Sequence, residues 1–131
     1  MSFEITERNV KWSRFCWSLI ESGYYQYGIK LFWLDASEPE GFGDLALHAS
    51  WQAGSMRDLA SMFTLYWTQV FYDGLRQHNE TDIVMLSRAS WIGTWRHGAV
   101  LWSGDIGSTL EVLKSQVNIG ISAQILSLIH I

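Results

Sequence analysis

A single cysteine, Cys16, stands in this chain of 131 residues, so no internal disulfide can form. Cys16 lies in an apolar stretch and is expected to serve as packing. One proline is present, and charged residues make up only 17% of the chain, against a usual share of roughly a quarter. The net charge is −4 and no basic patch stands out, which argues against nucleic acid as a partner. No apolar run approaches the roughly 20 residues of a membrane span, so a membrane is not expected as a partner either. The first residues, MSFEITERNVKW, lack the basic-then-apolar order of a secretory signal. There are no internal repeats and no low-complexity tract.

What the chain does have is apolar and aromatic bulk. It is 48% hydrophobic and 15% aromatic, with 8 Trp. That is enough for a real core, and an excess of Trp suits either heavy burial or a site that stacks flat ligands such as sugar rings. The length corresponds to about one domain.

Residues 7 to about 26 read as a helix, with Val10, Phe15, Trp17, Ile20 and Tyr24 as its apolar stripe and Gly23 and Gly28 marking its end. IKLFWLD (29–35) is continuous and apolar, as expected of a strand buried on both faces. Residues 36–54 read as a glycine-bearing loop. Residues 55–77 read as a long helix, with Ser55 as N-cap and Asp58 in the first turn, where a carboxylate favours the helix dipole. DIVMLSR (82–88) and AVLWSGD (99–105) read as two more buried strands joined by the turn GTWRHG. GSTLEVLKSQVNIGISAQ (107–124) reads as the last helix, capped by Ser108 or Gly107. Buried strands alternating with helices predict an α/β fold with a parallel sheet.

Two strands finish on acid: FWLD on Asp35 and LWSGD on Asp105. A third, VMLSR, finishes on Arg88. In parallel α/β sheets function gathers at the carboxyl ends of the strands. Two carboxylates about 5 Å apart can perform retaining glycoside hydrolysis. One attacks the anomeric carbon while the other exchanges protons, and the two roles need different surroundings. A cation such as Arg88 suits the first, and an apolar, Trp-lined rim suits the second. Two other readings stay open from the residues alone. The acids could hold Mg²⁺ or Ca²⁺, although Asp35, Glu38 and Glu40 lack the repeated spacing of a calcium loop. They could also simply cap strands and bind loop backbone.

The segments themselves resemble a family. GIKLFWLDASEPE (28–40) resembles the nucleophile segment of glycoside hydrolase family 31, the α-glucosidase and α-xylosidase family, whose members carry a strand ending in W-x-D. The W-L-D-x-x-E-P-E form is similar to its microbial α-xylosidase-like branch. DIVMLSRASWIGTWRHGAVLWSGDIGSTLEVLKSQVNIGIS (82–122) resembles the second family segment, where an arginine, a glycine-aromatic turn and W-[ST]-G-D lead into a helix. QVFYDGLR (69–76) is similar to the long helix between them. The likeness is collinear over nearly the whole chain.

This resemblance implies a fragment of a (β/α)₈ TIM barrel, about strands 4 to 6 with flanking helices. It implies Asp35 as catalytic nucleophile and Asp105 as acid/base. It implies Arg88 as a ligand of the sugar, and Trp33 and Trp102 as aromatics lining the same subsite. The expected activity is retaining hydrolysis of α-linked glucosides or xylosides, with an oligosaccharide or glycoside as the binding partner and no cofactor or metal. A transglycosylase of the same family is the near alternative, and a catalytically dead carbohydrate-binding barrel the more distant one. The turn Thr94-Trp95-Arg96-His97 departs from the family pattern, as does Ala36, which is often larger; both lie where substrate choice is made. Trp91, Trp95, Arg96 and His97 are expected to be structural. Glu38 and Glu40 are expected to be loop groups, and His48, Trp51 and Met56 receive no role.

A complete barrel of this kind needs about 250 residues. Residues 1–124 are therefore expected to form part of a catalytic domain. Residues 125–131 are expected to be a non-native tail, because LSLIHI leaves the family pattern and reads like a translated sequencing adapter. A three-stranded open sheet leaves edges and apolar faces bare, so the isolated chain is expected to be poorly soluble and inactive.

Overall fold

The computed structural model describes residues 7–37, 50–51, 54–55 and 60–123. Glu38, Glu40, His48, Met56, Asp58, the side chain of Trp51 and the tail 125–131 lie outside the described residues. Helix α1 (Glu7–Gly23) runs through a short 3₁₀ turn, Tyr25–Tyr27, into strand β1 (Phe32–Leu34). A two-residue hairpin follows, β2 (Ser50–Trp51) against β3 (Gly54–Ser55), and then helix α2 (Phe63–Gln77). Strands β4 (Met85–Ser87) and β5 (Ala99–Leu101) flank a 3₁₀ turn at Thr94–His97, and helix α3 (Leu110–Ala123) closes the series.

The strands β1, β4 and β5 form one parallel sheet with β4 in the centre. Their register is Leu34 beside Ser87 and Ser87 beside Leu101. Because side chains alternate along a strand, one face carries Phe32, Leu34, Met85, Ser87, Ala99 and Leu101. That face is covered by α1 and α2. Leu34, Met85, Ala99 and Leu101 are buried against Trp17 from α1 and Val70, Phe71 and Leu75 from α2. The Trp17 indole lies flat on Gly74, where a methyl group would fall 2.0 Å from the ring. Cys16 is packed at the edge of this cluster, and burial pushes its thiol pKa up, in keeping with a packing role.

Five expectations are corrected. The apolar run before Asp35 is not covered on both faces: Leu31 is 71% and Trp33 67% exposed, because the helices lie on one side of the sheet only. The buried face of α1 is formed by Cys16, Trp17 and Ile20, whereas Phe15 and Tyr24 stand exposed. Positions 16 and 20 are one turn apart and share a face; positions 15, 17 and 24 are not on one stripe. Helix α2 begins at Phe63 after a 3₁₀ turn, and Ser55 is in β3 instead of at a cap. The segment 36–54 contains β2 and the start of β3, so it is not wholly loop. The cap of α3 is Thr109, whose hydroxyl accepts the amide of Val112 at 3.3 Å, in place of Ser108 or Gly107.

Gly98 makes the turn into β5 possible. Its φ is +73°, and a β-carbon there would meet the carbonyl oxygen of Ile83 at 2.1 Å. Only glycine fits both constraints.

Candidate active site

The second face of the sheet has no layer over it among the described residues. Alternation puts Trp33, Leu86 and Val100 on it, and one step beyond the strands it puts Asp35, Arg88 and Trp102 there. The hydrogen-bond ladder extends that far: the Arg88 amide donates to the Leu34 carbonyl at 3.1 Å, and the Trp102 amide to the Ser87 carbonyl at 3.3 Å. An acid, a base and an indole are thus set side by side at the carboxyl ends of three adjacent strands.

Arg88 and Asp35 meet directly, with Arg88 Nη1 3.2 Å from Asp35 Oδ1. The Ala36 amide donates to the same oxygen at 2.8 Å. One carboxylate oxygen is therefore anchored twice, which fixes the plane of the group. The arginine is largely enclosed, at 14% side-chain exposure, while the carboxylate is 49% exposed. The charge pair is turned so that the acid faces outward and the base supports it from behind.

The chain turns sharply after Asp35. Ala36 has φ +47°, an uncommon conformation for a residue with a β-carbon, which costs about 1–3 kcal/mol. Ser37 compensates locally: it is fully buried, and its hydroxyl donates to the Leu34 carbonyl at 2.5 Å. Thr64 at the start of α2 reaches the Ser37 carbonyl at 3.4 Å. The helix that buries the core thus also braces the turn that aims Asp35.

Trp33 and Trp102 pack against each other with ring centroids 6.0 Å apart and planes tilted by 55°. Trp102 is buried and Trp33 offers its surface to solvent, which gives an aromatic wall beside Asp35. Asp105 follows three residues after Trp102 and is exposed, not enclosed by an apolar rim as expected. Its neighbour Gly104 is buried, with φ +70°, and a β-carbon there would lie 3.1 Å from Arg88 Cγ. The structure therefore brings together Asp35, Arg88, Trp33 and Trp102, and ties Asp105 to them through Gly104. The sequence marks Ala36 only as a position where substrate choice is made and gives no sign of Ser37; the one signal for Gly104 is its place directly before Asp105.

His97 lies at the opposite, amino end of β5. Thr68 Oγ1 lies 2.9 Å from His97 Nδ1, a hydrogen bond whose direction follows the imidazole tautomer, and 3.0 Å from the helix carbonyls of Thr64 and Leu65. Tyr72 packs against the imidazole with centroids 5.4 Å apart and planes tilted by 34°. Burial pushes the His97 pKa below its ordinary value; Arg96 adds to this and Asp73 opposes it. These contacts hold His97 between α2 and the turn before β5. Among the described residues, no group of three His, Cys, Asp or Glu gathers as a metal site would require.

Comparison with known proteins gives the same outline. The model of the "Glycosyl hydrolases family 31 TIM-barrel domain" matches residues 5–130. The "Uncharacterized family 31 glucosidase ORF2" of Pseudescherichia vulneris is 38% identical over 113 residues, covering 83% of this chain and 21% of that protein. The "Alpha-xylosidase" of Saccharolobus solfataricus is 33% identical, covering 83% of this chain and 16% of its own length. Among solved structures, a GH31 alpha-xylosidase from a soil metagenome, complexed with xylose, superposes with a TM-score of 0.72 at 34% identity, over 82% of this chain and 16% of that one. The chain thus spans between 16% and 21% of the length of these relatives.

Proposed function

The chain belongs to glycosyl hydrolase family 31, as an α/β piece of its TIM-barrel domain, and from that premise we propose that it carries the catalytic pair of a retaining α-glycosidase. Asp35 is the nucleophile and Asp105 the acid/base. The strands β1, β4 and β5 correspond to about the fourth, fifth and sixth of the barrel.

In the first displacement, an Asp35 oxygen bonds to the anomeric carbon as the bond to the leaving oxygen breaks. The Asp105 carboxyl gives its proton to that leaving oxygen. The product is a β-linked glycosyl-enzyme. In the second, water attacks the same carbon, its proton passes to Asp105, and the Asp35 carboxylate is released. Each displacement inverts the centre, so the product keeps the α configuration. Arg88 holds the nucleophile in place and contacts a hydroxyl of the bound sugar. Trp33 and Trp102 form the wall of that subsite. A transglycosylase would use the same steps, with a sugar hydroxyl in place of water.

The observation that carries this reading is the doubly anchored, outward-facing Asp35: one oxygen held by Arg88 and by the Ala36 amide, with half of the side chain accessible. A residue that only capped a strand would have no need of an enclosed cation behind it. The substrate is an α-linked xyloside or glucoside, with the xyloside favoured by the Glu38-Pro39-Glu40 segment and by the alpha-xylosidases among the relatives. The isolated chain is proposed to be inactive, because among the described residues nothing lies opposite the Trp33–Trp102 wall to close a sugar subsite.

The test uses the full-length protein that carries this segment. Asp35→Ala should abolish hydrolysis of aryl α-xylosides and α-glucosides, while the thermal midpoint stays near that of the wild type. Retained turnover would end the assignment. The ratio of the two substrates in the wild type identifies the preferred sugar.

A further inference from the structure

We infer that Gly104 is a positioning residue: its bare α-carbon is the seat for the aliphatic stem of Arg88, and so sets the reach of the guanidinium to Asp35. This rests on the reading of Asp35 as the reacting carboxylate.

Two independent features of Gly104 point to this. Its φ of +70° suits a residue without a β-carbon. A β-carbon built there would also lie 3.1 Å from Arg88 Cγ and 3.2 Å from Cδ, tighter than ordinary van der Waals contact. The backbone of Arg88 cannot retreat, because its amide is bonded to Leu34 and β4 is paired on both sides. A side chain at 104 therefore presses on the stem of the arginine and requires it to give by a few tenths of an ångström, a shift passed along to the group 3.2 Å from Asp35. Through this contact, the segment that ends in Asp105 and the strand that ends in Asp35 share one spacer. The two acids come from opposite edge strands, and Arg88 on the central strand links them, with Gly104 as the fit on one side and the ion pair on the other.

A structural role for the positive φ alone predicts a different outcome, and the two can be separated. Asparagine tolerates left-handed backbone but carries a β-carbon. In the full-length protein, Gly104→Asn and Gly104→Ala are made alone and together with Arg88→Ala, which removes the stem. Turnover of aryl α-xylosides or α-glucosides and the thermal midpoint are measured for each. If Gly104 acts through Arg88, Gly104→Asn lowers kcat/KM on the order of 10- to 100-fold, the scale of a misplaced catalytic group. It should do so with the same division between kcat and KM that Arg88→Ala shows. In the Arg88→Ala background the same change should cost less than about twofold, the limit of ordinary additivity. Equal losses in both backgrounds, or a Gly104→Asn variant with wild-type kinetics, would overturn the proposal. The thermal arm needs no activity. If Gly104→Asn folds poorly, removing the Arg88 stem should restore the midpoint, and failure to do so also overturns it. A midpoint that couples in a protein inactive on every glycoside would retain the seat for Arg88 and discard the glycosidase reading.

Discussion

The two ends of the parallel sheet use similar side chains in different ways. At the amino end, Glu80 takes a hydrogen bond from Tyr25 at 2.8 Å and an ion pair from Lys30 at 2.5 Å, both on Oε1. Beside it His78 pairs with Glu21 at 2.8 Å and stacks on Tyr25 with centroids 4.5 Å apart. At the carboxyl end, Asp35 is also held twice on one oxygen, by Arg88 and the Ala36 amide. The difference is exposure. Glu80 is the more covered partner of its pair, at 24% against 55% for Lys30, while at the other end the base is covered and the acid is presented. The amino end joins α1, α2 and the strand entries to one another. The carboxyl end presents a supported carboxylate to whatever binds there. Positive-φ backbone occurs at both ends, at Gly28, Asn79 and Gly98 on the amino side and at Ala36 and Gly104 on the carboxyl side, so it does not distinguish them.

Mutations can sharpen this contrast. Changes at the carboxyl end should remove activity and spare stability, and changes at the amino end and in the core should do the reverse. Asp35→Ala should give the largest effect, a loss on the order of 10⁴-fold or more, as for other covalent nucleophiles. Asp105→Ala should cost about 10²- to 10⁴-fold, the usual worth of a general acid, and less on substrates with good leaving groups. An Asp105→Ala variant equally slow on all leaving groups would break the assignment.

Gly74→Ala drives a methyl group into the Trp17 ring, which is rigid and buried. Overpacking of this kind costs about 1–3 kcal/mol, read as a lower urea midpoint, with kcat unchanged at low temperature. A stable Gly74→Ala protein would show that α1 does not sit on α2 as described.

His97 and Glu80 give pH tests of opposite origin. The folded pKa of His97 is depressed by burial. Its full contribution is therefore present above about pH 6.5, the unfolded value, and is lost as pH falls through the folded pKa. His97→Phe keeps the ring against Tyr72 and should flatten that part of the stability curve. Glu80 is held below its ordinary pKa by the hydrogen bond from Lys30 and then that from Tyr25. Its contribution is present above about pH 4.3 and is lost as pH falls through the lower, folded pKa. Glu80→Gln should give the smallest change of the series, confined to an unchanged difference from wild type at neutral pH that shrinks in acid. A difference that grew in acid would reverse the account.

The strands and their parallel order were legible in the sequence, because short apolar runs separated by helices leave few other arrangements. Asp35, directly after β1, was legible for the same reason, whereas β5 stops at Leu101, four residues short of Asp105, so the strand expected to run to Asp105 is shorter than read. The start of α2 was not. Residues 55–62 are mostly good helix formers, but Ser55 pairs with Ser50, and pairing across the hairpin overrides local preference. One-sided burial was legible only through the reading of the chain as a barrel fragment with bare apolar faces, since a continuous apolar run by itself reads alike whether both faces are covered or one awaits a partner layer. The contact between Gly104 and Arg88 crosses between strands that are distant in sequence, and no local pattern encodes it.

The left-handed backbone at Ala36 sets a limit on how this site can be redesigned. A library randomised at position 36 should be depleted of valine, isoleucine and threonine, whose branched β-carbons fit that conformation worst, and should retain glycine and asparagine. The position next to Asp35 therefore offers a narrow set of shapes. Engineering of a new sugar preference would have to draw its variety from positions such as the turn at Thr94–His97, where no residue from 94 to 97 has a positive φ.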